Sequence, residues 1–438
     1  MGSTRDRGKL SMVGTSLKAS RRRFLSGVAV GAALAALAPA YAFADGDDTG
    51  QAEWRQSYEV SAGMSVAREV TPVLSPQTVA ATEAAILTYQ GIVQRGGFSP
   101  VPANNELRVG VKSKNVQALR ERLVQSGDID QAAGSGPIFD SYVEAAVKRF
   151  QLRHGLSPTG AVGQETLTEL NVGAEQRLQQ LQTNLIRLKS YGELGDRFVI
   201  VNLPAAAVET VENGQVVSHH MAGVGKIDRQ SPIMQTKATE INFNPFWTVP
   251  PSLIKKDLIP KMKADPNYLA DEKIRVFDKE GEEVQPSRIN WNTDEATHYK
   301  YRQDTGADLN SLGAVRINIS NPYGVYMHDT PSKGVFGDDF RFVSSGCVRV
   351  QDVRDYVAWL LKDNPGWGRD QIDQAIASGQ RIDVKIAKPV PVYWIYITAW
   401  ATPDGIVQFR PDIYQRDGAG AGPVASAVPP TPLAIPQD

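Results

Sequence analysis

Little in this chain can hold a metal or a cofactor. One cysteine, Cys347, and five histidines are all that 438 residues provide in soft or imidazole ligands. There is no cysteine cluster and no H-E-x-x-H, and the closest His/carboxylate neighbours are His328 and Asp329, so a dedicated zinc site is not expected. Phosphate loop and dinucleotide fingerprint are missing too, which leaves no support for any cofactor. Charge of one sign is also lacking: 47 basic against 48 acidic residues leave a net charge of -1. Such a chain has no global field to draw in nucleic acid or an anionic membrane surface. No apolar run reaches the roughly 20 residues that a membrane span needs, so no stable span is expected.

What is present suits a folded protein. Apolar residues make up 42% and charged residues 22%, and the length suggests about two to three domains of about 150 residues each. Residues 1–44 read as an export signal. "SRRRFLSGVAVGAALAALAPAYAFA" has a basic start at Arg21, Arg22 and Arg23, a short weakly apolar core, and a small-residue site ending at Ala44. Its "SRRRFL" opening resembles the twin-arginine signal, whose cargo crosses the membrane already folded. The expected location is the periplasm or cell envelope, in association with the wall. Outside the cytoplasm an odd cysteine points to an intermolecular bond or a reactive nucleophile, and a small buried apolar side chain is the plain alternative. Cysteine count alone leaves these open.

Residues 45–104 read as linker and one helix, "SPQTVAATEAAILTYQGIVQ", with Ser75 as cap and Pro76 in the first turn, and with "GGFSPVPANN" as a break. Residues 105–172 have their own pattern. Val116, Leu119, Leu123 and Val124 share one helical face, Val143, Ala146, Val147 and Phe150 a second, and a short third helix starts near Gly163. This three-helix unit, through "VGVKSKNVQALRERL", "AVKRFQLRHGLSPTG" and "VGQETLTEL", resembles the type 1 peptidoglycan-binding domain. A connecting helix over 173–196 follows.

From Arg197 the pattern changes to β. "RFVIVNLP" and "AAAVETV" read as strands, and Asn213-Gly214 reads as a hairpin turn in "ENGQ". "EINFNPFWTVPPSLI", "GAVRINISN", "YGVYMHDT" and "RIDVKIAKPVPVYWIYITAWAT" continue that character, and "VQDVRDYVAWLLKD" reads as a helix just after the cysteine. A mostly-β domain is expected over 197–415. Its charged stretch at about 252–301, poor in β signal, reads as an inserted lid. Residues 416–438 are rich in Gly, Ala and Pro and read as a disordered tail.

A nucleophilic cysteine needs a base that works near neutral pH, and imidazole is the usual one. His328 is the best placed, at the end of the β-like "YGVYMH" and nineteen positions before Cys347. His154, His219 and His220 read as structural or surface residues. The run "HDTPSKGVFGDDFRFVSSGCVRV" resembles the signature of the YkuD-type L,D-transpeptidases: a histidine, a loop, then Ser/Thr-x-Gly-Cys-Val/Ile-Arg. "VGKIDRQSPIM", "INFNPFWTVPPSLIKKD", "RQDTGADLNSLGAVRI" and "YITAWATPDGIVQFRPDIY" extend the likeness over about Asn184 to Tyr414, in the manner of the larger branch that carries a lid. The fold class expected is multidomain α+β: a mostly-β YkuD-type catalytic domain with an inserted lid, preceded by a small three-helix peptidoglycan-binding domain.

The resemblance implies a reaction and a set of roles. Cys347 is the nucleophile and His328 its proton acceptor and donor, in an ion-pair-like arrangement. The Asp329 main-chain carbonyl holds the second imidazole nitrogen, which leaves the side chain at that position unconstrained. Backbone amides at Gly346 and Cys347 receive the oxyanion. Ser344 orients the loop, and Ser345 stands where many members have histidine. Arg349 anchors the loop or pairs with a substrate carboxylate. Trp247, Tyr326 and Phe340 line the donor groove or belong to the β core. The partners are peptidoglycan stem peptides, with an amine acceptor from another stem, a free D-amino acid or an outer-membrane protein. An L,D-carboxypeptidase using the same Cys-His site and a non-catalytic wall-binding scaffold are the competing readings.

Overall fold

The computed structural model describes residues 70–102, 107–304 and 306–418. The export signal, most of the first linker and the tail from 419 lie outside the described residues. Helix α1 (Pro76–Gln94) opens where Ser75 Oγ accepts from the Thr78 amide, with Pro76 at the first helical position. Helices α2 (Lys114–Gln125), α3 (Ser141–Arg153) and α4 (Gln164–Leu170) form the three-helix unit. Asp140 Oδ1 caps α3 by accepting from the Tyr142 and Val143 amides. Val116, Leu119, Leu123, Val143, Val147 and Phe150 are fully buried in one core. Val101, expected in a linker, also belongs to that core: its amide donates to Asn171 Oδ1 at 2.8 Å and its carbonyl accepts from Asn171 Nδ2 at 3.0 Å. A buried apolar residue with both backbone groups satisfied is structure, whatever its Pro- and Gly-rich neighbours suggest.

Helix α5 (Ala174–Lys189) leads into strands β1 (Arg197–Asn202), β2 (Ala207–Glu212) and β3 (Gln215–Gly225). Asn213 and Gly214 join β2 to β3 with φ of 49° and 74°, the left-handed pair that a two-residue hairpin requires. β4 (Met234–Phe243) leads out of the sheet into β5 (Trp247–Thr248), α6 (Pro251–Leu253), a π-helical turn (Ile254–Leu258), α7 (Ile259–Ala264), α8 (Tyr268–Asp271), β6 (Ile274–Phe277) and β7 (Lys300–Gln303). The chain returns through β8 (Val315–Ile319), β9 (Met327–His328), β10 (Phe342–Ser344) and β11 (Val348–Val350). Helices α9 (Val353–Leu360) and α10 (Arg369–Ala377), the long strand β12 (Ile382–Ile395) and a hairpin of β13 (Ala399–Ala401) and β14 (Val407–Phe409) complete it.

The main sheet runs β10-β3-β11-β9-β8-β4-β12-β1-β2, and a further β3–β2 pairing closes it on itself. Val201, Ala222, Ile241, Ile317, Met327, Val348 and Trp394 fill its core together with Tyr356, Val357 and Leu360 of α9. The protein is thus a multidomain α+β molecule with helices first and a mostly-β domain after them.

β4 and β8 are antiparallel neighbours, with Phe243 opposite Val315, so everything between them leaves and re-enters at one end of the sheet. That inserted segment has its own sheet, β5-β7-β6, and its own core, from Trp247 and Val249 through Leu258 and Tyr301 to Leu312. It reaches beyond 252–301 on both sides, because Trp247 and Thr248 of β5 lie in ordinary β sequence without the charge that marked the insertion and β7 runs on to Gln303. The tail starts later than composition suggests: Asp417 Oδ1 pairs with Arg187 at 2.5 Å, and Arg416 Nη2 donates to Gln230 at 2.8 Å.

The helical unit is fastened to the β domain. Ser157 donates from both amide and hydroxyl to Asp339 Oδ1 at 2.9 and 2.7 Å, and Arg410 Nη1 donates to the Arg153 carbonyl at 3.1 Å. The buried His154 ring stacks between Phe150 and Phe409 at 3.8 and 5.4 Å. Beneath this joint Arg153 makes a two-pronged pair with Asp128, at 2.7 and 2.6 Å, with both side chains under a tenth exposed. Arg122 and Arg177 lie in the same field; burial, then Arg153, hold the Arg122 guanidinium down to about 10. Asp128→Ala leaves Arg153 buried without its counter-charge, so a loss of about 3–5 kcal/mol in urea unfolding is expected. Adding Arg153→Met to that variant should restore part of it, and a single-variant loss below about 1 kcal/mol would refute the assignment.

Candidate active site

Strand register converts the nineteen-residue spacing into adjacency. β9 lies between β8 and β11: Met327 pairs with Val348 and Ile317, His328 with Arg349 and Arg316. Met327, Val348, Val350 and Ile317 point into the core and are fully buried. Period-two alternation therefore sends Tyr326, His328, Cys347, Arg349 and Arg316 to the other face. The Val348 amide donates to the Tyr326 carbonyl at 3.0 Å, which fixes Cys347 beside Tyr326. The Tyr326 hydroxyl is hydrogen-bonded with the Cys347 thiol and accepts from the Trp247 indole, and burial followed by Cys347 pushes its pKa up. Tyr326 and His328 meet edge to face at 5.7 Å, and the Arg316 guanidinium sits 4.6 Å above the Tyr326 ring.

His328 Nδ1 lies 2.5 Å from the Asp329 carbonyl oxygen. A carbonyl only accepts, so Nδ1 carries the proton and Nε2 keeps its lone pair. Burial, then Arg349, Arg316 and Lys333, push the imidazole down to about 3, against the smaller upward pull of the Asp329 carbonyl. Near neutral pH the imidazole is therefore uncharged. The neighbouring Cys347 stands half-buried.

The loop before Cys347 is held by short polar contacts. Ser344 Oγ donates to the Cys347 carbonyl at 2.6 Å and accepts from the Gly346 amide at 3.1 Å. Gly346 has φ of 113°, and a Cβ there would meet Val325 Cγ1 at 3.3 Å and the Gln230 carbonyl at 3.4 Å, so glycine is required. Its carbonyl accepts from Ser231 Oγ at 2.9 Å. Ser345 Oγ accepts from Arg229 Nη1 at 3.0 Å, and the same nitrogen meets Asp257 Oδ2 at 2.9 Å.

The structure thus brings together Cys347, His328, Asp329, Gly346, Ser344, Ser345, Arg349 and Tyr326, with Trp247 reaching in from the inserted segment. Trp247 is also part of that segment's core. Phe340 stands apart: it is half exposed and packs at a tilt against Phe342, ring centres 5.3 Å apart. The Asp329 side chain is constrained after all. It is buried, its Oδ2 accepts from the Ala314 amide at 2.9 Å, its Oδ1 pairs with Lys333, and any Cβ at Gly313 would collide with it. Arg316 escaped attention in "GAVRINISN", although its alternation with Val315 and Ile317 marks it as facing away from the core. Arg229 and Asp257 gave no local signal. Among the described residues there is no group of three metal-ligating side chains and no helix long and apolar enough to cross a membrane.

With this geometry in view, the matches to known proteins fall into place. Residues 196–384 match the L,D-transpeptidase catalytic domain family (YkuD), and residues 112–170 match the family described as "Putative peptidoglycan binding domain". The chain carries a YkuD-type L,D-transpeptidase catalytic domain behind a peptidoglycan-binding domain. It is 34% identical over 240 residues to a Haemophilus influenzae protein named "Putative L,D-transpeptidase", covering 55% of this chain and 48% of that one. The chain therefore spans about half the length of that curated relative. Solved L,D-transpeptidase structures from Mycobacterium smegmatis and Stackebrandtia nassauensis share 15% and 13% identity, over 46% and 68% of this chain and 58% and 96% of theirs. Their TM-scores are 0.23 and 0.24, an overlap that carries no weight here.

Proposed function

We propose that the protein is a peptidoglycan L,D-transpeptidase of the cell envelope, exported by its N-terminal signal and held to the wall by its helical domain. The observation that carries this reading is the pairing of β9 with β11, which sets His328 opposite Arg349 and brings the lone cysteine, just before β11, to the same strand end. Cys347 Sγ attacks the carbonyl of the third residue of a stem tetrapeptide. The thiol proton passes to His328 Nε2, the S–C bond forms, and the C–N bond to the terminal D-Ala breaks as that nitrogen takes the proton back from His328. The Gly346 amide exchanges Ser344 Oγ for the developing oxyanion, together with the Cys347 amide. An acceptor amine then attacks the thioester, gives its proton to His328, and the C–S bond breaks with return of the proton to sulfur. Arg349 and Arg316 keep the imidazole unprotonated between these transfers. The inserted segment acts as a lid that shields the thioester from water. The acceptor is the side-chain amine of a second stem, a free D-amino acid or an outer-membrane protein.

Incubating the protein with a disaccharide-tetrapeptide and following products by mass spectrometry tests this. A cross-linked dimer one D-Ala lighter is the expected product. Tripeptide alone assigns an L,D-carboxypeptidase to the same residues, and unchanged substrate leaves a wall-binding scaffold.

A further inference from the structure

Arg229 belongs to no strand or helix, yet its place is tightly fixed. The loop that carries it, between β3 and β4, is stitched to the cysteine loop at three successive positions. The Lys226 amide donates to the Ser344 carbonyl at 2.8 Å, Arg229 Nη1 donates to Ser345 Oγ at 3.0 Å, and Ser231 Oγ donates to the Gly346 carbonyl at 2.9 Å. The Ser231 hydroxyl is itself held by the Gly225 amide at 2.9 Å, and the Gly225 carbonyl accepts from Tyr414 at 2.5 Å. A guanidinium is thus built into the wall of the site, two residues before the nucleophile. Its side chain is only 16% exposed.

Two carboxylates meet it: that of the adjoining, largely exposed Asp228, 3.5 Å from Nε, and a closer one that comes from elsewhere. Asp257 sits in the π-helical turn of the inserted segment, whose neighbours Ile254 and Leu258 are buried in that segment's separate core. Asp257 brings the insertion to the cysteine loop through Arg229, arriving as a carboxylate on a guanidinium. The other cations of the site, Arg316 and Arg349, lie on the sheet face on the imidazole side. The donor of the proposed reaction ends in a free carboxylate, on the D-amino acid that leaves, one residue beyond the attacked carbonyl.

We propose that Arg229 is a specificity-determining residue that receives the terminal carboxylate of the donor peptide, and that Asp257 occupies this position until a donor displaces it. The inference rests on the L,D-transpeptidase reading and adds the group that recognises the leaving residue. Asp257 then has two effects. It keeps the guanidinium paired in the empty enzyme, and it competes with every donor that enters. Displacement of Asp257 removes one of the ties between the inserted segment and the site, the Trp247–Tyr326 hydrogen bond being another, so donor binding and movement of that segment are linked.

The test compares thioester formation, followed by intact mass, with two donors: a disaccharide-tetrapeptide ending in a free carboxylate and the same molecule ending in a carboxamide. The wild type should prefer the carboxylate by about tenfold to a hundredfold, the worth of one charge-assisted contact. Arg229→Gln should erase that preference while acylation by the carboxamide persists, and Arg229→Lys should restore part of it. Asp257→Asn should keep the preference and lower KM for the carboxylate donor. Equal slowing of both donors by Arg229→Gln, with their ratio unchanged, overturns the proposal and leaves a purely structural contact. If Arg229→Gln fails to fold, Asp257→Asn decides, since an unchanged or raised KM for the carboxylate donor is equally fatal. Absence of any thioester in the wild type overturns the transpeptidase reading itself.

Discussion

Cys347→Ala should abolish the mass adduct that a carbapenem leaves on the protein and reduce turnover of tetrapeptide donors by about four to six orders of magnitude, the usual scale for losing a catalytic nucleophile. The magnitude follows from how little else the site offers for covalent chemistry. Cys347 is the chain's one thiol, and the hydroxyls beside it are occupied: Ser344 Oγ donates to the Cys347 carbonyl, and Ser345 Oγ accepts from Arg229. Neither can take over the attack without dismantling the loop. Sulfur is also the atom suited to the attack, because a thiol ionises far more readily than a hydroxyl. Cys347→Ser should therefore resemble Cys347→Ala and give no long-lived adduct. An adduct that persists in Cys347→Ala would locate the nucleophile elsewhere and refute the site.

Much of this site could be read from residues alone, and the reason is local. A histidine at a strand end, a glycine-containing loop and a cysteine before a β run are all short-range patterns. The hairpin at Asn213-Gly214, the Ser75 cap and the helix after Cys347 were legible for the same reason: each is decided within a few residues. What escaped is decided by sheet order and by packing between distant segments. Arg316 becomes part of the site only because β8 lies next to β9, and β9 is two residues long, too short to announce its neighbours. The Asp329 side chain looked free because only its carbonyl had a role in sequence; its carboxylate is fixed by the Ala314 amide, from a loop fifteen positions earlier. Arg229 and Asp257 are 28 positions apart and belong to a loop and an inserted core that no periodicity links. Val101 shows the reverse case: turn-forming neighbours concealed a residue that the helical core absorbs.

Acid should destabilise the fold from about pH 6.5 downward, and His328 should supply a large part of that effect. In the folded protein burial, Arg349, Arg316 and Lys333 hold its pKa down to about 3, while in the unfolded chain it returns to about 6.5. Between those values the unfolded state binds a proton that the folded state refuses, so stability rises with pH across this window and falls as pH drops through it. The contribution is complete above about pH 6.5 and amounts to roughly 4–5 kcal/mol by pH 3. The groups facing the ring come from every element around it: Arg316 on β8, Arg349 on β11, Lys333 in the following loop, and the Tyr326 ring. No carboxylate side chain among these can offset a protonated imidazole; Asp329 offers its carbonyl to the ring and its carboxylate to Ala314 and Lys333. His154 acts in the same direction, pushed well below its ordinary value by burial and then by Arg153 and Arg177, so its loss adds to that of His328. Carboxylates also titrate below about pH 5, and the clean measurement is therefore a difference. Urea midpoints of the wild type and His328→Gln, taken from pH 7 to pH 4, should converge as pH falls, because the variant cannot be penalised for refusing a proton it no longer binds. Parallel curves would show that His328 is not held neutral, and would remove the neutral base on which the proposed proton transfers depend.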